Sequence, residues 1–214
     1  RVDRRQRQMC IRDRNNTGTG YKALKANTTG CRNTASGNYS LHDNTTGCHN
    51  TASGFCSLKS NTTANYNTAV GSCTLYANTT GAKNTGIGYV ALRENTTGSW
   101  NNAVGYGALT SNTTGYFNTA IGMKSLHSST TGLRNTASGA YAMVYNTTGC
   151  NNTASGYKSL WCNTTGISNT GIGYLALCLN TTGKWNTGIG VNTIKANTTG
   201  CFNTASGYAA LRLS

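Results

Sequence analysis

The motif Asn-Thr-Thr-Gly returns every 17 residues, at Asn27, Asn44, Asn61, Asn78, Asn95, Asn112, Ser129, Asn146, Asn163, Asn180 and Asn197, with no insertion between copies. Only Ser129 and Ala64 depart from it. A period this strict marks an array of stacked units, because one unit is too small to bury a hydrophobic face alone. Seventeen residues are too few for paired helices and suit one coil of a parallel β-solenoid or β-roll, so the predicted class is all-β. With the first Asn of the motif as position 1, each residue takes a place in the coil.

Position 11 is Gly in every copy, from Gly20 to Gly207, and position 4 is Gly except at Ala64. Both are expected at corners, since Gly populates positive φ without penalty. Asn recurs at position 7 from Asn16 to Asn203, and at position 1 except at Ser129. In-register stacking sets each Asn above the last, so that the amides can hydrogen-bond along the stack.

Two segments, N-T-A/G-S/V/I-G and Y-x-A/S-L, lie between the corners, and both are predicted to be strands. Position 15 is Leu apart from Met143 and Ile194, which makes it the expected core. Positions 9, 10 and 14 are also restricted to small or β-branched residues. Neighbours on a strand face opposite ways. Restriction at 9 and 10, and again at 14 and 15, therefore implies two covered faces and association of identical chains, expected to be a homotrimer.

The units NTAIG (Asn118–Gly122), NTGIG (Asn169–Gly173) and NNAVG (Asn101–Gly105) resemble the short repeats of YadA-like trimeric autotransporter adhesin heads and of some phage tail-fibre and tail-spike shafts. The resemblance covers residues 15 to 214. It implies a left-handed parallel β-roll, three chains to a fibre, extracellular on a cell surface or a virion tail. The typical head repeat is shorter, and the N-T-T-G loop accounts for the extra length here.

Residues 1–14, RVDRRQRQMCIRDR, fit no repeat position. From Arg4 onward they resemble the in-frame translation of a transposase-type sequencing adaptor, an expected non-native, disordered scar ahead of the solenoid of residues 15–214. Ser214 begins a further turn, so a signal, an anchor or a terminal chaperone domain is expected in missing parts of a longer chain.

The chain carries 18 Lys and Arg against 4 Asp and Glu. Without residues 1–14 the balance is 12 against 2, the acids being Asp43 and Glu94. Lys25, Lys59, Arg93, Lys195 and Arg212 share position 16 with His42 and His127, a basic row that can attract acidic glycans, lipopolysaccharide or nucleic acid. It is broken by Tyr76, Thr110, Val144, Trp161 and Cys178, and a solvated corner explains it as well. Position 6 varies most: Arg32, His49, Tyr66, Lys83, Trp100, Phe117, Arg134, Asn151, Ser168, Trp185 and Phe202. Aromatics among bases stack on sugars or nucleobases, which makes this row the candidate contact surface, with drift at a free loop position as the plain alternative. Tyr at position 12 (Tyr21, Tyr89, Tyr106, Tyr157, Tyr174, Tyr208) is expected to form a structural ladder.

Two isolated acids leave no carboxylate pair for glycoside hydrolysis and no calcium loop, and three scattered His lack partners. No catalytic centre, cofactor or metal site is predicted. Cys31 and Cys48 at position 5, and Cys56 and Cys73 at position 13, lie on adjacent turns within reach of a disulfide; Cys162 and Cys178 lie close, while Cys150 and Cys201 lie three turns apart. Ten N-T-T copies match the glycosylation acceptor pattern. No apolar run is long enough for a membrane-spanning helix.

The expected function is a non-enzymatic structural and adhesive fibre segment that attaches to a host or other surface. Two alternatives remain. One is an ice-binding solenoid carried by the Thr rows at positions 2, 3 and 8. The other is a polyanion or glycan-binding module using positions 6 and 16.

Overall fold

A computed structural model describes residues 14–212. The adaptor-like segment therefore lies outside the described residues, apart from Arg14, whose carbonyl accepts from Arg32 N–H at 2.8 Å.

The chain is an all-β parallel solenoid of 17-residue turns. Its twelve strands of three residues run from β1 (Thr17–Thr19) and β2 (Thr34–Ser36) to β11 (Thr187–Ile189) and β12 (Thr204–Ser206). They form a single sheet in chain order, every pair parallel and in register, so Thr17 lies beside Thr34 and Ile172 beside Ile189. A strand this short contributes few ladder bonds, and the ladder continues beyond it. Leu41 N–H donates to Ser57 O at 3.0 Å, Asp43 N–H to Lys59 O at 2.9 Å, and Tyr39 N–H back to Tyr21 O at 2.9 Å.

Position 8 faces out, 9 in and 10 out, as alternation on a strand requires. Ala35, Ala52, Ala69, Ala103 and Ala120 at position 9 pack against the column of position 15, where Leu41 through Leu177, with Met143 among them, are fully buried. At position 9 of the fifth turn, Gly86 leaves room for Thr74, whose Cγ2 stands 2.6 Å from where a Cβ would lie.

The Y-x-A/S-L segment is not a strand. It forms turns throughout, and positions 13 and 15 have positive φ in every copy, Val90 at 51° and Leu92 at 52° among them. Left-handed residues on both sides of position 14 break the strand alternation, so 14 and 15 are both buried: Ala91 and Leu92, Ala108 and Leu109. Restriction at these two positions thus arises within one chain. It does not report a second covered face.

The two glycine positions are restricted for different reasons. Position 11 has φ near 130°, as at Gly105 (133°), and a Cβ there would stand 2.7 Å from Gly122 O one turn on. Position 4 is not left-handed; its glycines are close against buried Asn amides, a Cβ on Gly115 falling against Asn112 Oδ1 and Gly132 O.

Those amides form two internal ladders, as the stacking of Asn predicts. At position 7, Asn50 N–H donates to Asn33 Oδ1 at 2.9 Å, and Asn33 Nδ2 donates to Gly47 O at 2.7 Å. At position 1, Asn61 Nδ2 donates to Asn44 Oδ1 at 2.7 Å and to Ala64 O at 3.1 Å. Both rows are buried, and pairing is what makes burial of so many amides tolerable. Ser129 interrupts the second row: its Oγ and Asn112 Oδ1 are buried without a hydrogen-bond partner.

Candidate functional site

The outward side chains of positions 8 and 10 form the face of the sheet, with positions 6 and 12 flanking it along the chain. Most of the exposed large apolar side chains of the described residues belong to these four positions, including Trp100, Phe117, Ile121, Tyr157 and Trp185. The middle of the face is a row of Thr at position 8 beside Ser, Val or Ile at position 10. Val70, Ile87, Val104 and Ile121 occupy four successive turns of that row and are 37 to 47% exposed. Nothing in the repeat marks these aliphatic residues as a site, because in sequence they look like interior strand residues. The parity that places them outside follows only from knowing that position 9 faces in.

Position 6 forms one edge of the face. Its φ is positive in every copy, and the side chains stand exposed or half-buried over one another. Arg32 Nη1 lies 3.4 Å from His49 Nε2, and His49 stacks on Tyr66 with centroids 4.9 Å apart. Lys83 Nζ sits 4.0 Å above the Trp100 ring, Trp100 stacks on Phe117 at 5.9 Å, and Trp185 on Phe202 at 4.8 Å. The structure thus brings most of the predicted contact row together. Asn151 and Ser168 leave an aromatic gap between Arg134 and Trp185. Position 12 makes the other edge, where Tyr89 stacks on Tyr106 and Tyr157 on Tyr174 at 5.7 and 5.6 Å.

The basic row of position 16 is not brought together in the same way. Lys25, Lys59 and Arg93 are separated by intervening turns, and Lys195 and Arg212 lie further along. Two of these residues are engaged locally. Lys59 Nζ donates to Tyr76 Oη at 3.3 Å, which raises its pKa, and Arg93 Nη1 lies 3.4 Å from Glu94 Oε1.

The three Thr rows differ in availability. Position 2 hydroxyls donate to the Thr carbonyl one turn on, as Thr96 Oγ1 does to Thr113 O at 3.0 Å. Rows 3 and 8 remain at the surface. The N-T-T acceptor asparagines from Asn44 onward are buried in their ladder, so no glycan fits on them in the folded chain.

The eight described cysteines are free thiols. Cys31 and Cys48 bring their Sγ atoms within 2.8 Å, and that hydrogen bond pushes the Cys31 thiol up. Burial raises Cys56, Cys162 and Cys178. Among the described residues no cluster of three His, Cys, Asp or Glu is placed to hold a metal, and no helix is long and apolar enough to cross a membrane. No family model, curated protein or solved structure matches the chain.

Proposed function

We propose that this chain is a non-enzymatic, rigid segment of a surface adhesin or tail-fibre-like protein, outside the cell or on a virion tail, whose sheet face joins identical copies and presents loops to a host or other surface. Eleven steps from β1 to β12 at about 4.8 Å each give a shaft of roughly 53 Å. One register throughout makes it stiff. The observation that carries the reading is the unpartnered aliphatic row Val70, Ile87, Val104 and Ile121, with the position 8 row, mostly Thr, on one side and the stacked Tyr89 and Tyr106 of position 12 following it in the chain. A contiguous apolar patch of this kind marks an interaction surface. The trimer and the left-handed coil of adhesin heads belong to the same reading.

Light scattering across a dilution series tests it. The expected mass is three times that of the chain and holds on dilution. Ile87→Lys with Ile121→Lys should return it to monomer. A wild-type monomer at all concentrations would sink the self-associating fibre.

Ice binding is the second reading. It draws on outward Thr-x-Thr or Thr-x-Ser pairs at Thr17–Thr19, Thr34–Ser36 and Thr51–Ser53. Absence of thermal hysteresis in a monomeric preparation removes it.

A further inference from the structure

Beyond the position 12 edge of the sheet face, the regular surface opens into a cleft of about 530 Å³. Three successive turns build it from positions 12, 13, 16 and 17. The first turn supplies Lys124, His127 and Ser128, the second Tyr141 and Tyr145, and the third Lys158 and Trp161. These positions are small or short in many other turns, such as Gly107, Thr110 and Ser111 in the turn before. The cleft is therefore a local departure from the repeat.

Its chemistry is cationic and aromatic. Lys158 Nζ lies 4.7 Å from the centre of the Trp161 ring and 5.4 Å from that of Tyr157. Tyr145 and Trp161 meet at 5.3 Å with planes 56° apart, and Tyr141 meets Tyr157 edge-on at 6.0 Å. Neither acid of the described residues, Asp43 nor Glu94, lines the cleft. Burial, and then the charge of Lys124, lowers the pKa of His127, and Lys124 and Lys158 are the cationic side chains of the lining.

We infer that this cleft binds an acidic saccharide, one or two pyranose rings bearing a carboxylate or sulfate, with Trp161 and Tyr145 against the ring faces and Lys124 and Lys158 on the anion. Three observations select this class. The cleft spans two turn-to-turn steps, about 10 Å, enough for one or two sugar rings. Its aromatic planes are inclined to one another, which suits the apolar face and edge of a ring; successive nucleobases need a parallel platform. Tyrosine hydroxyls and Ser128 can meet sugar hydroxyls at the rim. The cleft shares only Tyr157, at the position 12 edge, with the sheet face; the residues assigned to the ligand, Lys124, Tyr145, Lys158 and Trp161, all lie at positions 13, 16 and 17.

The test is isothermal titration of the full chain with a galacturonate oligomer, with the neutral galactose oligomer of equal length and with sodium sulfate. The expected result is one site per chain for the galacturonate oligomer, weakened by salt, with little binding of the neutral oligomer or of sulfate alone. Lys124→Gln with Lys158→Gln should weaken binding at least about tenfold, and Trp161→Ala by about tenfold. Trp161→Phe should keep much of the affinity. Circular dichroism confirms that each variant is folded. Lys25→Gln with Lys59→Gln, on the basic row, should leave binding unchanged. Equal affinity for the neutral oligomer, equal loss in the basic-row variant, or no galacturonate binding overturns the assignment. The light-scattering result bears on the fibre and not on this site.

Discussion

A single side chain interrupts an otherwise continuous ladder. Ser129 stands where ten other turns have Asn, and it leaves Asn112 Oδ1 and its own Oγ buried without partners. Ser129→Asn supplies the missing amide: its Nδ2 can donate to Asn112 Oδ1 and Gly132 O, and its Oδ1 can accept from Asn146 Nδ2. The expected gain is about 1–3 kcal/mol, the cost of an unsatisfied buried polar group, read as a higher urea midpoint at unchanged m-value. A midpoint equal to wild type would mean that the cavity accepts water at no cost. His127 carries a pH effect of known sign. Its folded pKa lies below the usual 6.5 through burial, so the unfolded chain takes up the proton first. Its contribution to stability is present above that usual value and is lost as pH falls through the lower folded value. His127→Gln should flatten the decline in melting temperature between pH 7 and pH 5. If the decline is unchanged, His127 is not its source. At this scale the sequence was legible where residue type reports environment directly. Recurrence alone marks Leu at position 15 and Asn at positions 1 and 7 as core and ladder, and apart from the end turns they are buried.

Within one turn, only one of the two expected strands forms, and the reason is conformational. Positions 6, 13 and 15 all take the left-handed region, at roughly 1–2 kcal/mol for an ordinary L-residue. Nothing in Leu41, Val90 or Trp100 signals positive φ, because the usual markers are Gly and Asn. Only Asn15 and Asn151 at position 6, and Gly107 and Asn192 at position 13, hint at it. Ladder bonds such as Val90 N–H to Ser72 O at 3.1 Å, together with burial of position 15, hold these residues there. The same blind spot is why restriction at 14 and 15 predicts two covered faces when the residues are read as a strand. A β-branched residue is the poorest fit to this region. Val90→Asn should therefore stabilise by about 1 kcal/mol, a rise of a few degrees in melting temperature, provided the ladder is unchanged. Val90→Gly gives a smaller gain because it also loosens the unfolded chain. Destabilisation by both would show that contacts of the half-buried Val90 side chain outweigh its backbone strain.

The whole molecule behaves as a one-dimensional stack in which each turn touches its two neighbours, so stability is expected to add turn by turn. The period, and with it the solenoid, was legible because insertions are absent. The faces were not, because orientation depends on where the single strand begins. Register makes one prediction sharp. Removing Asn95–Ser111 joins Glu94 to Asn112 and leaves every row aligned: Asn78 meets Asn112, Leu92 meets Leu126 and Gly88 meets Gly122. The shortened chain should keep the circular dichroism spectrum and melt cooperatively within a few degrees of the parent. Removing Asn95–Asn112, one residue more, slips all rows beyond the junction by one place. Asn118 then faces Lys83 across the ladder, and its amide loses its partners, at about 1–3 kcal/mol per orphaned group in every turn that tries to stack across the slip. That chain should melt in two separate transitions, one for each in-register block, or lose the block beyond the junction altogether. Equal, single transitions for both deletions would mean that the Asn ladders do not set the register, and that apolar packing along position 15 suffices to hold the stack.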